Sequence, residues 1–416
     1  MSNIDQNFNK KYGISAELAL KLVRSQEVSN NNIAGKPKIL AIEILRRFFT
    51  NPAVLIAFSV FLVIILIATI VTYTSPYPAT ERIDAYWPAD QKVSNVGSLP
   101  PMFNPWKETT DESVIKSINF WATSTKYKEY LKPYLTHTFI NSSLVRYNPY
   151  TYFEGSQLLA RLIKWEKENP TRLITPDVIA QIKSQIPVLK TFLGTNELGA
   201  DVWTTVWKGT LESLWIALFV STVEIIIGVF VGAYLGFNAG KALDTFMMRL
   251  IEIFTSPPSI IWLLLFVSIW GTNPWVLIAG LLFVGWTGPI GVTRLFIITV
   301  KDEEYIIAAK SIGAAETRQI FMHALPAILG KIAMSFVRRI PSVILSIASL
   351  AFLGFFSDSK SANLGKFMLD NINDSKTNPW LLMLPASILL GISISLQFIA
   401  VGLHDALDPK VIKIKR

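Results

Sequence analysis

The stretch 305-YIIAAKSIGAAETRQIFMHALP-326 interrupts a chain that is otherwise built of long apolar runs. It is polar, rich in small residues and broken by Gly313, so it is too mixed to cross a bilayer. The runs around it are different. Windows at 52–73, 211–237, 247–270, 274–300, 332–355 and 379–403 are each long enough, at about 1.5 Å per residue, to cross about 30 Å of hydrocarbon. The expected fold is therefore an all-α membrane protein with six spans, and 305–326 is a connection between the fourth and the fifth.

Composition agrees. Of 416 residues, 51% are hydrophobic and 17% charged, with a mean hydropathy of +0.40. That is more apolar than a soluble domain, and the apolar residues are clustered as spans require. The net charge of +9 could suggest nucleic acid as a partner. The basic residues instead flank the apolar runs, as membrane topology demands, so no nucleic acid is expected. With no cysteine and three histidines, disulfides and Cys-based metal sites are excluded and no metal site is expected. No cleavable leader is expected either: the first fifty residues are polar and basic, and the first apolar run is too long for a leader core.

Charge also orients the chain. Arg46 and Arg47 precede the first window. Lys301, Lys310, Arg318 and Lys331 lie between the fourth and fifth. Lys410, Lys413, Lys415 and Arg416 follow the sixth. Six crossings put these three groups on one side, which the positive-inside rule makes the cytoplasm. Both termini are then cytoplasmic in a multi-pass cell-membrane protein. The expected organisation is a cytoplasmic segment (1–49), a first span (50–73), an extracytoplasmic insert (74–193), a core with spans two to six (194–404) carrying the cytoplasmic segment 302–327, and a tail (405–416).

The insert is water-soluble in character. Helical patterning is expected at 112–134, 156–168 and 176–191, the last with Thr175 as N-cap and Pro176 at the first helical position. Its aromatics, among them Trp87, Trp106, Trp121 and Trp165, read mostly as a small core. A docking surface is the alternative.

A transporter needs energy, so a nucleotide site is the first chemistry to look for. The stretch 194-GTNELGAD-201 has two glycines at phosphate-loop spacing. It then has Ala200-Asp201 where a lysine and a hydroxyl residue must hold phosphate and Mg²⁺. It is not such a loop. No zinc-protease H-E-x-x-H, no G-x-S-x-G and no plausible triad occurs, so the chain reads as a non-catalytic subunit with no cofactor of its own. The ionisable residues inside the windows remain, and these are expensive. Arg249 and Arg294 can snorkel to an interface, and Glu252 can pair with Arg249 one turn away. Glu224, in the middle of the second window, must be protonated, paired or facing water. Arg338 or Arg339 could be its partner, or all three could line a hydrated pathway. Prolines at 257, 258, 289 and 341 predict kinks.

Ala308-Ala309-Lys310-Ser311-Ile312-Gly313, followed after nine residues by His323-Ala324-Leu325-Pro326, resembles the EAA loop of ABC-importer permeases. Other stretches extend the resemblance to the C-type subunits of oligopeptide and dipeptide permeases. These are ILRRFFTNPAVLIAFSVFL (44–62), LGTNELGADVWTTVWKGTLESLWIAL (193–218), MRLIEIFTSPPSIIWLL with Trp286, Gly288 and Arg294, FLGFF (352–356) and GLHDALDPK (402–410). It covers about 44–74 and 193–410. Ile307 stands where the loop usually has glutamate, with Glu303 and Glu304 one turn earlier. Ala200 and Asn196 depart from the family's GRD and GTD, and the insert is longer than the family's.

The resemblance implies a type I ABC importer permease with six transmembrane helices and a large, mainly helical extracytoplasmic insert between helices 1 and 2. It implies a sister B-type permease subunit forming a heterodimer, two cytoplasmic ATPase subunits that bind the ATP and Mg, and an extracytoplasmic peptide-binding protein. It also implies that Glu304, Tyr305, Ala308, Ala309, Lys310, Ser311, Gly313, Ala314, Glu316, His323, Leu325 and Pro326 form the ATPase-coupling segment, as two short helices docked in a groove of the ATPase. The residues suit that role. Tyr305, Ala308, Ala309 and Ile312 recur at helical spacing, Gly313 permits a turn, and Ile320, Phe321 and Ala324 give a second apolar face. Taken alone, they equally fit a loop helix packed on its own bundle. Oligopeptides are the expected cargo. Dipeptides, nickel chelates or another small solute are the near alternatives. A transporter driven by an ion gradient through Glu224 and Arg338, and a receptor-like docking protein built on the insert, are the readings from other classes.

Overall fold

The computed structural model describes residues 40–92, 96–141, 143–271, 273–355 and 362–407. The expected N-terminal segment up to residue 39, residues 356–361 of the last loop and the tail from 408 lie outside these. The chain divides into two compact units, 1–51 and 52–416. The described part of the first is helix α1 (Leu40–Thr50), an amphipathic helix in which Glu43 pairs with Arg47 one turn later at 3.1 Å.

The second unit is a helical bundle with a folded insert. Helices α2 (Pro52–Thr74), α7 (Val202–Phe237), α10 with α11 (Pro274–Gly285 and Thr287–Ile298), α14 (Leu325–Phe352) and, after the short α15 (Leu364–Asp370), α16 (Trp380–Leu407) supply five segments long and apolar enough to cross a membrane. The window 247–270, expected as one helix, is two. Helices α8 (Ala242–Thr255) and α9 (Ser259–Trp270) are bent by 73° across Ser256-Pro257-Pro258, and counted as one broken span they make six. The cause is local. Pro258 has no N–H to give the carbonyl of Phe254 four residues earlier. The indole Nε1 of Trp262 donates to that carbonyl at 3.0 Å instead, and the two rings stack at 5.2 Å. The break is thus satisfied and fixed by the first turn beyond it.

Helix α7 runs 36 residues, longer than a bilayer needs, and its core-facing side is lined with small residues. Gly228, Gly232 and Gly236 recur every fourth residue and lie against Pro289, Ile290 and Arg294 of α11. A Cβ at these positions would sit 2.3–2.7 Å from α11 atoms. Close approach of this kind is how membrane helices gain packing without a hydrophobic drive between them.

Between α2 and α7 the insert contains α3 (Glu112–Thr123), α4 (Lys128–Leu131), α5 (Pro149–Glu168) and α6 (Pro176–Ser184). It also contains a three-stranded antiparallel sheet absent from the expectation, β1 (Lys107–Thr109), β2 (His137–Phe139) and β3 (Val145–Tyr147), in the order β1-β3-β2. Three-residue strands have too little alternation to read. The expected helix 112–134 divides at Ser124. The one at 176–191 stops at Ser184, before Pro187, and Thr175 occupies its N-cap position without a side-chain bond. Of the four tryptophans, Trp121 is fully buried with Leu131, Leu158, Leu162 and Ile182. Trp87 and Trp165 pack at the edges of the small cores, and Trp106 is exposed under the Arg146 guanidinium.

The stretch 194–201 is structural. Gly194 and Gly199 have φ of +81° and +79°, Val202 N donates to Gly194 O, and Asp201 caps α7 through Thr204 N at 2.9 Å. This turn ties the insert to the bundle, together with Asn378 Nδ2 on Leu193 O (2.8 Å) and the hydroxyl pair Ser75–Thr204 (2.6 Å).

Candidate functional site

Glu224 lies near the middle of α7 and is wholly buried. Its carboxylate accepts two parallel bonds from Arg339 of α14, Nε to Oε2 at 2.5 Å and Nη2 to Oε1 at 2.9 Å. The fork geometry makes this the strong form of such a pair. Room for it comes from α10. A Cβ on Gly285 would lie 1.6 Å from Glu224 Oε1 and 2.3 Å from Arg339 Nη2. Glu224 is therefore paired, and its partner is Arg339, not Arg338. Arg339 keeps one side in a cavity of about 230 Å³ beside the α8–α9 bend, lined also by Pro257, Ser259, Trp262, Gly285 and Gly288.

Arg338, about 100° round α14 from Arg339, points away from that pair and is exposed. It borders a second, more open groove of about 540 Å³ between α14 and α16. The three other charged residues named within the apolar windows separate as well. Arg294 does not snorkel. It donates to Asp244 of α8 at 2.6 and 2.8 Å, and Asp244 is buried. Arg249 and Glu252 form the local pair, at 2.6 Å, on the exposed side of α8.

The segment 305–326 is only half as expected. Its first part is a separate helix, α12 (Glu304–Ser311). Gly313 ends it with φ +83°, and Ala314 N reaches back to Ala309 O at 3.1 Å, the six-to-one bond of a glycine C-cap. The second part is not a separate short helix. A three-residue turn, α13 (Glu316–Arg318), passes through a π-helical turn at Gln319–Ala324 straight into α14.

The faces divide in the same way. Ile306 is buried with Ile320, Ala324, Ile328 and Ile297, and Ala309 is buried on the same helix, so the second apolar face belongs to the chain's own core and Ala309 is turned inward. Glu304, Tyr305, Ile307, Ala308, Lys310, Ser311 and Gly313 are exposed, and Ile312 is 87% exposed. Ala314, Glu316, His323 and Leu325 are half-buried, and Pro326 is exposed. Glu316 accepts from the Asn238 side-chain amide at the end of α7, and Gln319 Nε2 donates to Ala314 O at 2.6 Å. Asn238 and Gln319 thus position the segment and were not singled out in the sequence. The FNAGK stop after α7 is the signal that marks Asn238.

At the other end of α7, burial pushes the Asp201 carboxyl up to about 6, against the opposing pull of its bonds from Thr204. One of its oxygens has no partner. Among the described residues no cluster of metal-ligating side chains occurs.

The profile of the binding-protein-dependent transport system inner membrane component matches residues 225–413, and that of the N-terminal domain of oligopeptide transport permease C matches 40–101. The oligopeptide transport system permease protein OppC of Mycoplasma pneumoniae is 33% identical over 92% of this chain and 94% of its own length. The chain belongs to this C-type permease family. The OppC protein of Mycoplasma genitalium is 31% identical over the same shares, and the dipeptide permease DppC of Bacillus subtilis is 30% identical over 53% of this chain and 69% of its own. The inner-membrane-component profile begins at Ile225, beside Glu224, and takes in Arg339, residues 304–326 and the whole of α14 and α16.

Proposed function

We infer that this permease is the C-type transmembrane subunit of an ATP-driven ABC importer for oligopeptides. It forms half of the translocation pathway with a sister B-type subunit and takes peptide from an extracytoplasmic binding protein. ATP and Mg belong to two cytoplasmic ATPase chains. The basic residues around α1, α12 and the tail put those parts and both termini in the cytoplasm, and the insert outside.

The observation that carries the reading is the exposed surface of α12. Tyr305, Ile307 and Ile312 are large, apolar and uncovered, while Ile306 and Ala309 on the other side anchor the helix in the bundle. A surface helix with an apolar outer side fits a groove in another protein. Because the segment after Gly313 is continuous with α14, a push on α12 from closing ATPases passes to a spanning helix as a rigid-body tilt. Arg339 moves with α14, so its bond to Glu224 is placed where such a tilt can be felt.

The test is Ile312→Arg. In the complete importer it is expected to lower recovery of the ATPase chains with the permease and to reduce ATP-dependent peptide uptake at least tenfold, with the permease still in the membrane. Full ATPase recovery with this variant would sink the reading. Ala309→Arg is a poor test, because it would disturb the chain's own core.

A further inference from the structure

Arg338 lies about 20 Å along α14 from Leu325, close to the helix midpoint and so at mid-membrane depth. Its guanidinium is exposed and meets no carboxylate among the described residues. A guanidinium cannot lose its charge and is costly against hydrocarbon, so this side of α14 must face water, a polar ligand or a polar group of a partner. The surroundings are those of a ligand site. The groove is about 540 Å³, within the range of small-molecule sites. Ser342, Ser393 and Gln397 offer neutral donors and acceptors beside the cation, and Ile394 and Phe398 offer apolar surface.

We propose that this groove is a transit site that holds the C-terminal carboxylate of a peptide, with Arg338 as the charged contact. The inference rests on the oligopeptide reading above and adds a binding site to it. Peptides of different sequence share only backbone and termini. One fixed fork of N–H donors reads a terminal carboxylate whatever the side chains are, and repels the ammonium end. The hydroxyls and the Gln397 amide suit the last peptide groups, and Phe398 and Ile394 take a side chain without selecting it. With Arg339 held by Glu224, Arg338 is the cation among the described residues that lines this groove.

The test uses the complete importer in liposomes with ATP, and a labelled pentapeptide supplied as the free acid or as its C-terminal amide. Arg338→Gln is expected to lower free-acid uptake roughly tenfold or more relative to the amide, the loss of one charge-assisted contact. Arg338→Lys should keep most of the preference. If Arg338→Gln no longer assembles, Gln397→Glu, which adds an anion to the groove, must depress the acid more than the amide. Acid and amide falling together in these variants, as for an arginine that pairs with a sister-subunit carboxylate, would overturn the proposal, and so would no change in either. No peptide uptake by the wild-type importer would instead remove the oligopeptide reading, and this site with it.

Discussion

Glu224 and Arg339 show how two charges survive in a span. Each alone would be expensive, and together they form a fork that Gly285 makes room for. Removing Arg339 leaves Glu224 buried and uncompensated, at a cost of about 3–5 kcal/mol, and removing Glu224 leaves the half-buried Arg339 without its partner, at a smaller cost. Arg339→Met should therefore lower the melting temperature in detergent markedly, and Glu224→Gln to a smaller extent. The double variant Glu224→Met/Arg339→Met should recover most of the loss, and equal losses in single and double variants would argue against a pair. Asp201 makes a different case, outside the span. Its folded pKa of about 6 exceeds the ordinary value of 3.8, so the folded state holds its proton more tightly than the unfolded. The stabilisation it contributes is present below about pH 4 and is lost as pH rises through 6, at most about 3 kcal/mol. Thermal melts from pH 4 to 7 should show this fall, and Asp201→Asn, which retains a capping side chain, should flatten it.

Among the helices, the α7–α11 contact and the α8–α9 break have opposite causes. In α7, three glycines let two backbones touch. Gly232→Leu would drive a side chain into Ile290 O and Thr293, and overpacking of this kind costs about 1–3 kcal/mol or more. Reduced yield of folded permease and a lower melting temperature are expected, with Gly232→Ala giving a smaller shift. No change for leucine would mean the helices separate freely. In α8–α9, two prolines prevent one straight helix, and Trp262 turns the resulting free carbonyl into a fixed bend. Glycines at GxxxGxxxG spacing and a Pro-Pro pair are both visible in the sequence. The partner helix and the bend angle are not, because they depend on which surface arrives opposite.

For the molecule as a whole, the insert begins and ends at one place on the bundle. Ser75 at the end of α2 bonds Thr204 in the first turn of α7. A short connection can therefore close that gap. Replacing residues 76–199 by a Gly-Ser linker of about ten residues should leave a permease that still inserts and retains the ATPase chains. Delivery of peptide by the binding protein should fall, as read from uptake at low peptide concentration. Loss of ATPase retention would instead make the insert part of the bundle's stability.

The apolar windows, the basic clusters beside them and the glycine end of α12 could all be read from the residues alone. These are local properties: hydrophobic length, charge against a low-dielectric layer, and backbone freedom at one position. The tertiary structure decided the rest. It chose Arg339 over Arg338, paired Arg294 with Asp244, turned Ala309 inward and Ile312 outward, and ran the second half of 305–326 into α14. Two adjacent arginines look alike in sequence, but a helix points them about 100° apart. Which one meets a carboxylate 115 residues away depends on where α7 and α10 pack, and that is a property of the assembled bundle.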